Sequence, residues 1–177
     1  MVMIIACGPS GILAGKGETT LVTPPWYHCL GMHKVTQTHL DIYSRFSERF
    51  DDPGGLFCTK LSVKDDSTTD YDDDELTVFG INSGAGHILY NVGLFSLRIS
   101  DGTPEGGRRL KNPSDITGDR DGNIFVADTG NDRIMRYRYI DDELRLVETL
   151  QKHSGVGIKE PGGVSLSSGR LYVADTG

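Results

Sequence analysis

The chain has 177 residues, a length that allows one or two domains. Its 25 acidic and 18 basic residues give a formal net charge of -7, and it has no stripe of lysine and arginine, which argues against nucleic acid as a partner. The sequence contains no apolar run of the ~20 residues that cross a bilayer. Its 23 glycines separate short apolar runs, and this pattern predicts an all-β fold.

Residues 1–25 are predicted to be an export segment followed by a linker. Ile4-Ile5-Ala6-Cys7 resembles a bacterial lipobox, in which Cys7 would receive a lipid. A basic start and a long apolar stretch are missing in front of it, so a chance match stays open. Residues 8–25 are rich in Gly, Thr and Pro, as linkers are. The predicted location is exported or in the cell envelope, with membrane contact only through the lipid, and the alternative is cytoplasmic.

Residues 26–64 contain three strand-like stretches, at 29–35, 39–44 and 56–63, which indicate an early repeat. Lipidation of Cys7 would leave Cys29 and Cys58 as a pair that could form a disulfide in an oxidising envelope, and three reduced thiols are the alternative. Three histidines, His28, His33 and His39, lie close to Cys29. Their spacing matches no zinc motif, so no zinc site is predicted.

The acidic stretch 65–75 offers weak candidate ligands for calcium, namely Asp70, Asp72 and Asp74. The alternation of acidic residues fits an EF-hand loop. The sixth position, however, is Glu75 instead of Gly, and the twelfth is Ile81 instead of Glu. A solvated loop is therefore the main interpretation, with calcium as the alternative, and no other cofactor is predicted.

Residues 76–111 are predicted to form a divergent repeat. Strands at 76–82 and 87–91 pair across a Gly-rich turn at 83–86, and a further strand follows at 95–100. Asn91-Val92-Gly93 is predicted to correspond to Asp128-Thr129-Gly130 of the repeat that comes next.

Residues 112–159 and 160–177 repeat one pattern. Each segment reads Pro, a short strand, a polar turn ending in Gly, an apolar strand and Val-Ala-Asp-Thr-Gly, and the closing Asp128 and Asp175 are 47 residues apart (175 minus 128). In the first copy, strands at 114–118, 123–128, 133–139 and 144–150 with tight turns predict a four-stranded meander. The second strand is apolar on both faces, so we expect other layers to cover it on both sides.

Polar residues of this repeat are interpreted as structural. Asp119 and Asp121 are predicted to cap the turn at Gly122. Asp128 and Asp175 are predicted to bond the amides of the turn that follows each of them, and Arg133 is predicted to lie between repeats. His153 is predicted to be an exposed loop residue.

The segment from Pro113 to Ile134 resembles the NHL repeat, which reads Pro, a short strand, an Asp-Gly-Asn turn, an apolar strand ending Val-Ala-Asp, then Gly-Asn and Arg. The segment from Pro161 to Gly177 matches the first part of this pattern. The resemblance implies structural roles for Pro113, Asp128, Gly130, Asn131, Arg133, Pro161 and Asp175. It also implies an NHL-type β-propeller over residues 26–177, with about three to four four-stranded blades of a larger ring of about six. A partial ring has two exposed edges, so we expect a fragment of a longer propeller, and ring closure by self-association is the alternative.

The resemblance implies a scaffold that binds a protein, peptide or glycan through its loops and that is not an enzyme. The loops at 108–113 and 151–161, each just before a Pro, are the predicted binding elements. The alternative is a metal-dependent enzyme of the lactonase or lyase kind with a site in the central channel. RNA binding, known for some NHL proteins, is disfavoured by the negative charge.

Overall fold

The computed structural model describes residues 41–42, 48–65, 76–93, 96–102 and 107–177. These residues form an all-β structure of four antiparallel sheets, two of them four-stranded and two of them two-stranded. The strands are β1 (Pro53–Lys60), β2 (Leu76–Asn82), β3 (His87–Gly93), β4 (Ser96–Ser100), β5 (Asp115–Gly118), β6 (Asn123–Asp128), β7 (Arg133–Ile140), β8 (Glu143–Leu150), β9 (Lys152–His153), β10 (Val156–Gly157), β11 (Pro161–Ser167) and β12 (Arg170–Asp175). Asp41 and Ile42 are helical, and Thr129–Asn131 form a 3₁₀ turn. Within the described residues, no helix has the length and the apolar composition needed to cross a membrane.

Sheet A consists of β1 to β4 in chain order. The predicted strands at 76–82 and 87–91 are confirmed, and β3 extends two residues further, to Gly93. The first strand of the sheet is β1, which pairs with β2 from Lys60 opposite Leu76 to Pro53 opposite Asn82. The sheet therefore begins at Pro53, well before the repeat boundary predicted at residue 76.

The order of strands in sheet A also corrects the predicted position of its repeat motif. The second strand is β2, which ends in Asn82 and is followed by Ser83-Gly84, as β6, the second strand of the next sheet, ends in Asp128 and is followed by Thr129-Gly130. Asn91 lies inside β3, where its side chain accepts a hydrogen bond from the Val78 amide and donates one to the Leu76 carbonyl. The predicted correspondence of Asn91 with Asp128 is therefore wrong.

Sheet B consists of β5 to β8 in chain order, and the predicted four-stranded meander is confirmed. Its second strand, β6, is buried at every residue after Asn123, as the apolar pattern on both faces predicts. At the turn before β6, Asp119 accepts hydrogen bonds from the backbone amide and the side-chain amide of Asn123 at 2.9 and 2.8 Å. Asp119 thus has the predicted role of a turn cap.

The core lies between the sheets. Sheets A and B enclose an apolar cluster that includes Phe79, Tyr90 and Tyr139, whose rings lie 5.6 to 6.1 Å apart. The other face of sheet B packs on sheet C, which consists of β11 and β12, through Phe125, Ala127, Ile134 and Val164. Sheet B is covered on both faces because of these two contacts.

The first strands of the three sheets, β1, β5 and β11, lie side by side. The Gly55 amide donates to the Ser114 carbonyl at 2.8 Å, which connects β1 to the start of β5. On the other side of β5, the Asp115 carboxylate and the Thr117 hydroxyl accept the amides of Val164 and Leu166 at 2.9 and 3.2 Å. Side chains of β5 therefore satisfy the edge amides of β11.

Candidate ligand-binding groove and connecting loops

The segment that leads into the first strand of each sheet is called its connector. All three connectors are anchored by the same pair of hydrogen bonds. In sheet B, the Lys111 amide donates to Asp128 Oδ1 at 2.7 Å, and the Gly130 amide donates to the Lys111 carbonyl at 2.9 Å. The same two bonds join Asp51 to Asn82 and Gly84 in sheet A, at 2.7 and 2.9 Å, and Lys159 to Asp175 and Gly177 in sheet C, at 2.9 and 3.1 Å. The anchor is thus repeated three times.

These anchors correct the predicted role of the repeat aspartates. Asp128 makes no side-chain capping bond to the 3₁₀ turn that follows it. Its carboxylate, like that of Asp175, accepts the amide of a residue that precedes it in sequence by more than a dozen positions. The carboxylates hold the incoming chain because the connector and the end of the second strand meet at one end of the sheet.

Each connector also makes the same backbone turn. Asp52, Asn112 and Glu160 have φ angles of 48°, 43° and 43°, in the left-handed region that non-glycine residues rarely occupy. Each of the three precedes a proline, and Pro53 and Pro161 begin β1 and β11, whereas Pro113 lies two residues before β5. The predicted structural prolines at 113 and 161 are buried at this position.

A buried ion pair fixes the connector of sheet B. Arg133 Nε lies 2.6 Å from Asp128 Oδ2, with side chains that are 9% and 0% exposed. Arg133 also donates to the Arg108 carbonyl at 2.7 Å, and Asn131 donates to Asp128 and to the Arg109 carbonyl. Arg133 therefore contacts its own sheet and the connector in front of it.

Sheet A holds its connector with a different set of side chains. Asn82 takes the place of Asp128 and His87 that of Arg133, and the carboxylate comes from Glu48 in the connector. The Asn82 side chain donates to Glu48 Oε1 at 2.6 Å, and His87 Nδ1 lies 2.9 and 3.0 Å from the two carboxylate oxygens. Contact with both carboxylate oxygens fixes the orientation of the His87 ring.

A groove of about 430 Å³ runs between sheet A and the β7–β8 turn of sheet B. It is lined by Glu48, His87 and Tyr90, by residues 98–101 at the outer edge of sheet A, and by Glu143 and Leu144. Its volume lies in the range of small-ligand sites. Charged side chains of both signs line it together with Ile99 and Leu144, so it offers polar and apolar contacts to a ligand. The sequence pattern did not reveal this groove, because its residues are far apart in the chain.

A group of polar side chains surrounds the β7–β8 turn, and one of them, Tyr90, also lines the groove. Tyr139 donates to Asp142 Oδ1 at 2.7 Å, and the hydroxyl of Tyr90 donates to the Asp142 carbonyl at 3.3 Å. Burial raises the pKa of both tyrosines, and the hydrogen bond to Asp142 adds to the effect at Tyr139. Burial lowers the pKa of Lys64, whose ammonium lies 3.7 Å from Asp142. The tyrosines therefore stay neutral at physiological pH and serve as packing and hydrogen-bonding groups.

The second predicted binding loop, at 151–161, is a protruding hairpin over its first half. The short strands β9 and β10 pair, and the Ile158 amide donates to the Gln151 carbonyl at 2.9 Å to close its base. Every residue from Gln151 to Gly157 is exposed, and Val156 is 70% exposed. His153 is exposed, as predicted. The loop at 108–113, in contrast, is held against sheet B by the anchor.

Several predicted site residues lie outside the described part of the chain. They are the lipidation candidate Cys7, the disulfide candidate Cys29, the histidines His28, His33 and His39, and the calcium candidates Asp70, Asp72 and Asp74. Cys58 is exposed on β1, and its pairing with Cys29 stays a prediction. Within the described ranges, no three His, Cys, Asp or Glu side chains come together in a way that could hold a metal ion.

Comparison of the chain with protein-family models and with curated proteins found no match in either set. The anchors, the hairpin and the groove are therefore the features on which a function can be based.

Proposed function

We propose that the protein is a binding scaffold without catalytic activity, built as an NHL-type β-propeller, that holds a protein, peptide or glycan. The observation that carries the proposal is the connector anchor, repeated at Asp128, Asp175 and Asn82. Successive sheets with the same anchor, with adjacent first strands and with cores between their faces fit the radial arrangement of propeller blades.

The anchors support a binding surface at the connector end. They hold the connectors and the turns after β2 and β6 on a stiff frame, whereas the hairpin at 151–157 projects from it. Glu48 and His87 hold the connector of sheet A and also line the groove, so one part of the groove lies at this end. Loops held by a rigid scaffold are where binding residues concentrate.

Export and lipid attachment at Cys7 belong to the same proposal, and they are tested separately. Metabolic labelling with a fatty acid should mark the wild-type protein and leave the Cys7→Ala variant unlabelled. Label on both proteins, or on neither, would count against the lipid anchor without bearing on the scaffold.

The test of the scaffold compares variants at the two ends of the sheets. Val156→Asp and Ser100→Trp change the hairpin and the groove, and Ser168→Asp changes a turn at the opposite end. Immobilised proteins are exposed to cell-envelope extract, and retained proteins and glycans are quantified against wild type. We expect ligands to be lost from one or both of the first two variants and kept by the third.

Equal retention by all variants would contradict binding at the connector end. Metal analysis of the purified wild-type protein tests the enzymatic alternative. Stoichiometric zinc or calcium whose removal abolishes a lactonase or lyase activity would replace the scaffold proposal.

A further inference from the structure

The fourth strand is the outermost strand in both four-stranded sheets. Among the described strands, β4 pairs only with β3 and β8 only with β7, although the chain continues beyond each of them. In β8, a bulge leaves Val147 without a partner residue, and bulges are one way in which proteins protect an exposed edge from further pairing. In contrast, β4 is regular from Leu97 to Ser100. The outer side of β4 is therefore suited to pair with another strand.

The groove follows this outer edge of β4. Arg98 and Ser100 point to one face of sheet A and Ile99 points to the other, yet all three line the groove. Side chains of both faces can line one groove only if it runs along the edge of the strand. The first two residues of β8, Glu143 and Leu144, line the groove from sheet B. An extended chain in the groove would thus lie beside the backbone of β4.

Arg98 is the charged residue of the groove that lacks a partner of opposite charge. Each of the three carboxylates that line the groove lies within 4.0 Å of a basic side chain. These pairs are Glu48 with His87, Asp101 with Arg109 and Glu143 with Arg145, at 2.9, 3.8 and 4.0 Å. Arg98 is exposed and makes no ion pair with any described residue. It lies opposite Tyr90, on the face that is turned to sheet B, so the groove is complementary to an acidic group on that side.

We propose that the groove binds an extended peptide that adds to the outer edge of β4 and places an acidic side chain opposite Arg98. Pairing with the backbone of an edge strand is a binding mode of peptides, which favours a peptide over a glycan. Opposite charges on directly opposite residues stabilise the pairing of two strands. Residues two positions away from the acidic one share its face, where Leu144 favours apolar side chains. This inference rests on the proposed function, because it names the ligand class of the groove.

The probe is a set of three synthetic heptapeptides with acetylated and amidated termini, Thr-Val-Thr-Xaa-Thr-Val-Thr, in which Xaa is Glu, Ala or Lys. Each is titrated into the full chain and followed by calorimetry. The Glu peptide should bind with 1:1 stoichiometry and at least about tenfold more tightly than the Lys peptide, because a charge-assisted hydrogen bond becomes a repulsion. Equal affinities of these two peptides, or no saturable binding of the Glu peptide, would overturn the proposal.

A charge reversal on the protein side tests the assigned residue. Arg98→Glu should invert the order, so that the Lys peptide binds more tightly than the Glu peptide. Arg98 is exposed, so the variant should keep its fold, which circular dichroism checks. Arg170→Glu changes the net charge equally at an exposed residue of sheet C, and it should leave the order of the peptides unchanged. An unchanged order in Arg98→Glu, or the same inversion in Arg170→Glu, would contradict the assignment.

Hydrogen exchange locates the bound peptide. The Glu peptide should slow exchange at residues 97–101 more than at β8, and protection confined to the hairpin at 151–157 would exclude the edge of β4. Ser100→Trp fills the groove and should abolish peptide binding. A wild-type protein that bound none of the peptides, with extract ligands still lost from Ser100→Trp, would overturn the edge proposal and leave the proposed function standing.

Discussion

At the scale of single residues, buried charge decides where the chain is most sensitive to substitution. Asp128 and Arg133 lie in a site that water hardly reaches, and each compensates the other's lost hydration. The exposed pairs of sheet B, such as Arg145 with Asp141, keep most of their hydration and contribute little.

The first prediction concerns Arg133. Its replacement by Met leaves the Asp128 carboxylate buried without its cation, so we expect a loss of about 3–5 kcal/mol in the free energy of unfolding. Urea denaturation followed by circular dichroism measures the change. Arg145→Met is the control and should lie within about 0.5 kcal/mol of wild type. Similar losses for both variants would show that the anchor pair has no special role.

The second prediction concerns the close approach of β1 to β5. A Cβ atom on Gly55 would lie 2.1 Å from Asp115 Oδ1 and 2.8 Å from Asp115 Cα, so Gly55→Ala must push the strands apart. We expect a loss of about 1–3 kcal/mol in the same assay, as for other overpacked sites. A Cβ on Gly157 meets nothing within 4 Å, and Gly157→Ala should be neutral or raise stability by up to about 1 kcal/mol. A Gly55→Ala protein as stable as wild type would mean that β1 and β5 are further apart than described.

At the scale of strands and sheets, the tyrosines between sheets A and B couple packing to pH. Tyr137 is 1% exposed and donates to the Gly102 carbonyl at 2.6 Å, and burial raises its pKa above the ordinary value of 10.0. Burial raises the pKa values of Tyr90 and Tyr139 as well. The unfolded chain therefore loses these protons at lower pH than the folded chain.

The third prediction follows from the sign of that difference. The contribution of these tyrosines to the free energy of unfolding is complete below about pH 10. It is lost as pH rises further, by about 1.4 kcal/mol per pH unit for each group. Tyr137→Phe leaves the Gly102 carbonyl without its donor and should cost about 1–3 kcal/mol at pH 8. Above pH 10 the free energy of unfolding of this variant should fall less steeply than that of the wild type, by the about 1.4 kcal/mol per pH unit that one tyrosine contributes. Urea denaturation at pH 8, 10 and 11 measures both effects. If the free energy of unfolding fell equally with pH in the variant and the wild type, Tyr137 would not contribute to the pH dependence.

The elements differ in how far the sequence reveals them. Sheet B is predictable strand by strand, because its apolar runs are separated by turns that contain Gly, Asp and Asn. The start of β1 could not be predicted, because Asp52-Pro53-Gly54-Gly55 has the composition of a turn. In the structure, these glycines allow β1 to contact β5. The pair of Glu48 and His87 is equally hidden, because its members are 39 positions apart and replace the repeat's usual residues.

At the scale of the whole molecule, sheet B is the most protected unit because sheets A and C cover its two faces. The hairpin at 151–157 lies at the other extreme, with every residue exposed. Local opening needs less free energy where few apolar contacts are broken.

The fourth prediction is a gradient of hydrogen exchange. Peptides that cover 123–139 should exchange most slowly among the described residues, and peptides that cover 151–157 should exchange within the shortest labelling times. Mass spectrometry at several labelling times gives the order. The Arg133→Met variant should raise exchange at 107–111 more than at 76–82, since its contacts are with that connector. Uniform exchange along the chain would contradict the layered core.

The edge of sheet C that faces sheet B is closed by side chains, and this limits how copies of the protein can aggregate. Asp115 and Thr117 already accept hydrogen bonds from the amides of Val164 and Leu166 in β11, so these amides cannot pair with the strand of a second copy. Aggregation by backbone pairing along β11 should therefore require that sheet C first separates from sheet B.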